Sequence, residues 1–272
     1  MPYHCCVVLA TRGTGAVIGT PRGVHACLPL PATEVHLYPA WLDQPESVVA
    51  ELHDVLSSDE RARAARFRFE RDRRRYTVGR GLLRRLLAGY VGIAPEDVPF
   101  RYGSFDKPFL DGPGPWFNLS HSGGVALYAF SSAAEIGVDV ELDDPAFARE
   151  RIAERFFSKA EVGVLRSLPI EVQPHAFLTC WTRKEAFIKA RGDGLSLALD
   201  SFDVSLAPDA PAALLRTAWS AAEPAQWWLH DLSDAPRGYI AAVAMRSAAR
   251  RIVSRDVVGA PIADRTSDQG AR

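Results

Sequence analysis

Apolar and polar positions divide the chain into short alternating segments and longer stretches of helical spacing. Glu34–Tyr38 (EVHLY) alternates with period two and predicts a first strand. Pro45–Leu56 has helical spacing and is closed by Ser57–Ser58, with Ser58 suited to cap the next helix. Apolar positions at Phe67, Phe69, Tyr76, Val78, Leu82, Leu83, Leu86 and Leu87 punctuate Ser58–Leu87, which reads as a pair of helices closed by Gly89–Asp97. Val98–Tyr102 predicts a strand. Phe117–Gly124 leads into the apolar strand Val125–Phe130, and after a turn at Ser131–Glu135 the segment Ile136–Leu142 (IGVDVEL) alternates again. Ile152–Phe157 reads as helical. Ser158–Lys159–Ala160–Glu161 has the spacing of a capping box and opens a short helix that Pro169 stops. Pro174 suits the first turn of the next helix, which carries an apolar stripe of Phe177, Trp181 and Ile188 and ends at Gly192 and Gly194. Phe202–Leu206, Ala213–Trp219, Gln226–Leu232 and Tyr239–Met245 alternate like strands of a sheet. Residues 1–32 and 247–272 have no sustained period and read as an irregular leader and a tail.

Composition narrows the class. At 272 residues, 47% hydrophobic and 24% charged, the chain is an ordinary globular protein with room for one large or two small units. A net charge of −1 supplies no overall field to select nucleic acid or a membrane. No apolar run approaches the roughly 18 residues of a spanning helix. The apolar patch near the N-terminus lacks a preceding basic region, so no signal peptide is expected. Cys5, Cys6, Cys27 and Cys180 form neither a disulfide framework nor a paired metal spacing, which fits a reducing, cytoplasmic setting with Cys5–Cys6 as free thiols. Of 32 basic residues only Lys107, Lys159, Lys184 and Lys189 are lysines, so a retained lysine invites a chemical reason such as proton movement.

Candidate chemistry gathers at two elements. Period-two geometry puts Asp139 and Glu141 on one side of their strand; an exposed polar face is the simpler alternative for either. Trp181, Glu185 and Lys189 recur at four-residue steps and share a helix face. A surface Glu185–Lys189 pair would contribute only about 0.3–0.5 kcal/mol. Trp181 on the same face implies partial burial, where an unpaired carboxylate is costly. If helix and strand meet, three carboxylates supply hard oxygen ligands for Mg²⁺, with water and substrate phosphates completing the shell. His121, between two serines before a double glycine, reads either as part of a hairpin turn or as a phosphate contact. Ser58–Leu87 contains eleven arginines against four acids: a solvated amphipathic helix pair, or a landing site for phosphates or an acidic partner. The residues by themselves support Mg²⁺-dependent phosphoryl or pyrophosphate chemistry, with a phosphohydrolase or nuclease as the rival.

FNLSHSGG, IGVDVE, FFSKAE and WTRKEAFIKARGDGLSL, in that order, closely resemble the 4′-phosphopantetheinyl transferases of the surfactin-synthetase-activating (Sfp) type. The pattern covers roughly Leu56 to Phe202 and runs more weakly to the strands near Met245. The resemblance implies an α+β fold of two similar α+β halves packed as a pseudo-dimer, here residues 33–133 and residues 134–246 with the metal site. It implies a monomer that binds coenzyme A in the cleft between the halves. It implies transfer of the 4′-phosphopantetheine arm to a serine of an apo acyl or peptidyl carrier protein, a holo-[acyl-carrier-protein] synthase type of activity that releases adenosine 3′,5′-bisphosphate. By the same resemblance Asp139, Glu141 and Glu185 hold Mg²⁺ (or Mn²⁺), and Glu185 also takes the proton of the carrier serine. Lys189 stabilises the transferring phosphate or protonates the leaving group. His121, with Ser120 beside it, meets the 3′-phosphate of coenzyme A; Lys107 and Arg63 are further coenzyme A-binding positions, and Asp139 and Lys189 border the same ligand. Three positions depart from the family pattern. Asp106 replaces a glycine before Lys107. Glu60 stands where a base is common, with Arg61 beside it. Tyr76 or Thr77 stands where some members use a threonine. A module that binds coenzyme A or a carrier without transferring is the non-enzymatic alternative.

Overall fold

In a computed structural model of the chain, the described residues are 27–103, 107–144, 153–192, 194–233, 235–248 and 250–255. Strand β1 (Glu34–Trp41) is followed by helices α1 (Glu46–Asp54), α2 (Ser58–Ala64) and α3 (Glu70–Val91). A ribbon of β2 (Phe100–Tyr102) and β3 (Pro108–Leu110) leads to the hairpin of β4 (Trp116–Ser122) and β5 (Val125–Ser131). Then come β6 (Ile136–Leu142), α4 (Ala153–Phe156), α5 (Lys159–Ser167), α6 (Gln173–Arg191), β7 (Phe202–Val204), β8 (Leu214–Thr217), β9 (Trp228–Asp231), β10 (Tyr239–Met245) and β11 (Arg251–Ser254).

Two sheets organise these elements. One has the order β11-β1-β5-β4, the other β6-β10-β9. Helix α3 covers the outer face of the first sheet, packing Val78, Leu82, Leu83, Leu86 and Leu87 with Tyr38, Phe117, Tyr128 and Phe130. Helix α6 covers the second, packing Phe177, Ala186, Phe187 and Ala190 with Leu229, Ala242 and Ala244. The inner faces meet in a third cluster, where Val35, Leu37, Val125 and Leu127 oppose Ile136, Val138, Val140, Ala241 and Val243. Each half therefore has a helix on one side and its counterpart on the other, which is the expected α+β arrangement of two packed halves. It also explains β5: all seven residues are buried, and Val125–Phe130 is a continuous apolar run.

Several boundaries differ from the sequence expectation. Ser57, not Ser58, caps α2, because Glu60 three residues on accepts from the Ser57 amide. Arg251–Ser254, within the stretch read as a tail, forms β11 and pairs in parallel with β1. Four residues are too short to show a period; the partner strand supplies what local pattern lacks. Residues 28 and 30, assigned to the leader, pack on the first core, and the Leu28 amide donates to the Gly89 carbonyl. Residues 1–26, with Cys5 and Cys6, and residues 256–272 lie outside the described residues. Cys27 and Cys180 are free thiols.

Candidate active site

The site forms where α6 crosses β6. Gly137 permits the approach: a Cβ there would lie 2.1 Å from the Ala186 carbonyl oxygen and 2.3 Å from the Ala190 nitrogen, both backbone atoms. Within Trp181–Ala190, only Trp181, Glu185 and Lys189 are less than fully buried. The four-residue steps thus mark the one face of α6 left open, and that face looks onto β6.

There Lys189 Nζ donates to Asp139 Oδ1 at 2.6 Å and to Ser120 Oγ at 2.9 Å, and Ser120 Oγ donates to Asp139 Oδ1 at 2.8 Å. One contact thus joins α6, β6 and β4. β4 and β6 are the adjoining edges of the two sheets, and side chains bridge them in place of a backbone ladder. Asn118 Oδ1 accepts from the Val138 amide, and Ser122 Oγ accepts from the Leu142 amide. Ser122 Oγ donates in turn to Glu141 Oε2 at 2.7 Å. Trp181, on the predicted apolar stripe, packs with Phe156 and Phe177.

The electrostatics are those of a site short of positive charge. Desolvation, then the charge of Asp139, holds the Glu185 carboxyl above the usual carboxylate range, with Glu141 adding to the effect. Desolvation pushes Glu141 up as well. Asp139 is 3% exposed, and its Oδ2 is buried with no hydrogen-bond partner among the described residues. No three Asp, Glu, His or Cys side chains among the described residues form a ready-made metal cage. The donor set nevertheless suits Mg²⁺, which is held by one or two carboxylates together with water and phosphate and does not need an all-protein cage. A cation there would meet the unpartnered Oδ2 and offset the mutual repulsion of the three acids.

The other candidates lie around this cluster. His121 is next to Ser120 on β4; desolvation, then the Lys189 charge, lowers its pKa from the ordinary imidazole value. Gly123 and Gly124 make the tight β4–β5 turn, Gly123 at φ 54°, and Arg75 locks it by donating to the Gly123 carbonyl while pairing with Asp43. Lys107 Nζ donates to the Lys189 carbonyl at 2.7 Å and lies 3.8 Å from Glu135; burial lowers its pKa. Arg63 is outside the carboxylate cluster, on α2, with its guanidinium over the Tyr76 ring. Glu60 is a structural acid: buried, it pairs with Arg84 and Arg80. Arg74, Arg75 and Arg85 likewise pair with acids of the same half, so much of the arginine-rich stretch serves the fold. Ser122 joins the site as well, and period two on β4 places it on the same face as Ser120.

A family profile described as the 4′-phosphopantetheinyl transferase superfamily matches residues 135–244, and one described as the N-terminal part of 4′-phosphopantetheinyl transferase matches residues 40–133. The sequence is similar to the 4′-phosphopantetheinyl transferase HetI of a Nostoc species: 45% identity over 210 residues, covering 73% of this chain and 88% of that protein. It is 35% identical over 176 residues to the 4′-phosphopantetheinyl transferase Sfp of Bacillus subtilis, covering 64% of this chain and 77% of the relative. The Bacillus subtilis transferase ffp matches at 37% over the same length.

Proposed function

The chain belongs to the 4′-phosphopantetheinyl transferase superfamily, and from that premise we propose that it moves the 4′-phosphopantetheine arm of coenzyme A onto a serine of an apo acyl or peptidyl carrier protein. The observation that carries this reading is the Lys189–Asp139–Ser120 contact, which brings an ammonium, a buried carboxylate and a hydroxyl together between the two halves.

In the reaction the serine Oγ attacks the phosphorus that bears the pantetheine arm. The pyrophosphate P–O bond breaks, and adenosine 3′,5′-bisphosphate departs. Asp139, Glu141 and Glu185 would hold Mg²⁺ or Mn²⁺, which when bound offsets the pyrophosphate charge. Glu185 takes the serine proton, directly or through a water. Lys189 stabilises the transferring phosphate or returns a proton to the departing oxygen. His121, with Ser120 beside it, meets the 3′-phosphate of coenzyme A, Lys107 reaches a further phosphate, and Arg63 lies on the adenine or phosphate side. No helix among the described residues is long and apolar enough to cross a membrane.

Incubation with coenzyme A, Mg²⁺ and an apo carrier protein, followed by intact-mass spectrometry of the carrier, tests the proposal. A gain of one phosphopantetheine group is expected. No gain with carriers of fatty-acid, polyketide and nonribosomal-peptide types would overturn it, and coenzyme A hydrolysis without an acceptor would favour a phosphohydrolase.

A further inference from the structure

The strand junction at the site repeats one arrangement twice. Ser120 and Ser122 lie two residues apart on β4, and each faces one of the acids two residues apart on β6. A hydroxyl has a single proton to give. Ser120 Oγ receives a bond from the Lys189 ammonium, which can only donate, so its own proton goes to Asp139 Oδ1. Ser122 Oγ receives a bond from the Leu142 amide at 3.1 Å, also an obligatory donor, so its proton goes to Glu141 Oε2 at 2.7 Å. Each serine thereby commits one oxygen of its acid to the strand junction. The other oxygen of Asp139 is the buried one without a partner.

We propose that Ser122 is a positioning residue: it fixes the Glu141 carboxylate so that one oxygen remains free for the divalent cation shared with Asp139 and Glu185. The inference rests on the cation reading given above. Among the described residues the other recorded partner of this hydroxyl is the Leu142 amide. Ser122 lies at the end of β4, only partly buried, and the Leu142 amide it caps is on the exposed edge of β6.

The test is Mn²⁺ binding to the full chain with coenzyme A present, followed by electron paramagnetic resonance of free Mn²⁺, for wild type, Ser122→Ala and Ser122→Thr. Loss of a group that orients a ligand typically weakens metal affinity by about 10–100-fold. Ser122→Ala is expected at the lower end of that range, and Ser122→Thr, which keeps the hydroxyl, near wild type. Thermal unfolding without metal should be nearly unchanged in both. Equal Mn²⁺ affinity in Ser122→Ala and wild type overturns the inference, as does a Ser122→Thr variant as weak as Ser122→Ala. So does an Ala variant whose only defect is a lowered unfolding temperature. A wild-type chain that binds no Mn²⁺ with coenzyme A overturns the cation reading itself, an outcome distinct from equal affinities.

Discussion

Lys184 and Lys189 lie on the same helix, and each meets a carboxylate, yet the two pairs do opposite things. Lys184 is fully buried. Its ammonium reaches Glu161 at 2.9 Å and the carbonyls of Leu199 and Phe202 at 2.6 Å, filling its three donor positions. Glu161 is equally saturated, accepting from the amides of Ser158 and Val204. Around Lys189 the balance fails: three acids crowd one ammonium, and Asp139 keeps a buried oxygen without a partner. A satisfied buried pair ties α5, α6 and β7 together. An unsatisfied one is tolerated where a ligand completes it. The presence of a buried ion pair therefore says little about function; its unfilled valences say more.

Breaking that contrast gives a ranked set of expectations. Glu185→Gln removes the proposed proton acceptor and should lower carrier-protein transfer by about 10²–10⁴-fold, with the urea unfolding midpoint maintained. Near-normal turnover in the mass assay would sink the assignment. Lys184→Met leaves Glu161 buried and unpaired, and should cost about 3–5 kcal/mol of stability by urea denaturation. A neutral outcome would remove the distinction between the two pairs. Gly137→Ala drives a methyl into the backbone of α6, and overpacking of this kind costs about 1–3 kcal/mol. Because the clash lies at Ala186 and Ala190, transfer by the folded fraction should fall as well, read by comparing unfolding midpoint with kcat.

The smallest expectation concerns a satisfied network in the other half. His36 is buried, with Nδ1 against the Tyr90 hydroxyl and Nε2 against Glu34; burial, the largest cause, holds its pKa below the ordinary 6.5. As pH falls through 6.5, the unfolded chain takes up a proton that the folded imidazole resists. Stability should therefore decline toward acid, by at most about 1.4 kcal/mol per pH unit. His36→Gln should flatten that slope in urea titrations between pH 7.5 and pH 5.5, and leave transfer at the upper pH intact. An unchanged slope would show that His36 does not carry it.

Much of this was legible in the chain. Period two on Ile136–Leu142 and four-residue steps from Trp181 put Asp139, Glu141, Glu185 and Lys189 on facing surfaces, and the structure brings those elements together. Harder to read was anything decided by a partner distant in sequence. Lys184 has the same chemistry as Lys189, and only the position of Glu161 turns it into an anchor. Ser122 adjoins His121 in a segment that reads as a hairpin turn, and its role depends on β6 lying against β4. Arg75 and Arg84 looked available to a polyanion, whereas Asp43 and Glu60 occupy them. Local pattern sets which way a side chain faces, and tertiary contact sets what it finds there.

The return of Arg251–Ser254 to β1 also affects how the protein can be cut. Without β11, the outer backbone of β1 would offer its amides and carbonyls to any extended chain that met them. Arg251 clasps Glu34, and the Arg255 amide donates to the Leu37 carbonyl, fastening that edge shut. Trimming the chain after Met245 would thus remove a guard against self-association, far from the carboxylates and with no direct effect on them.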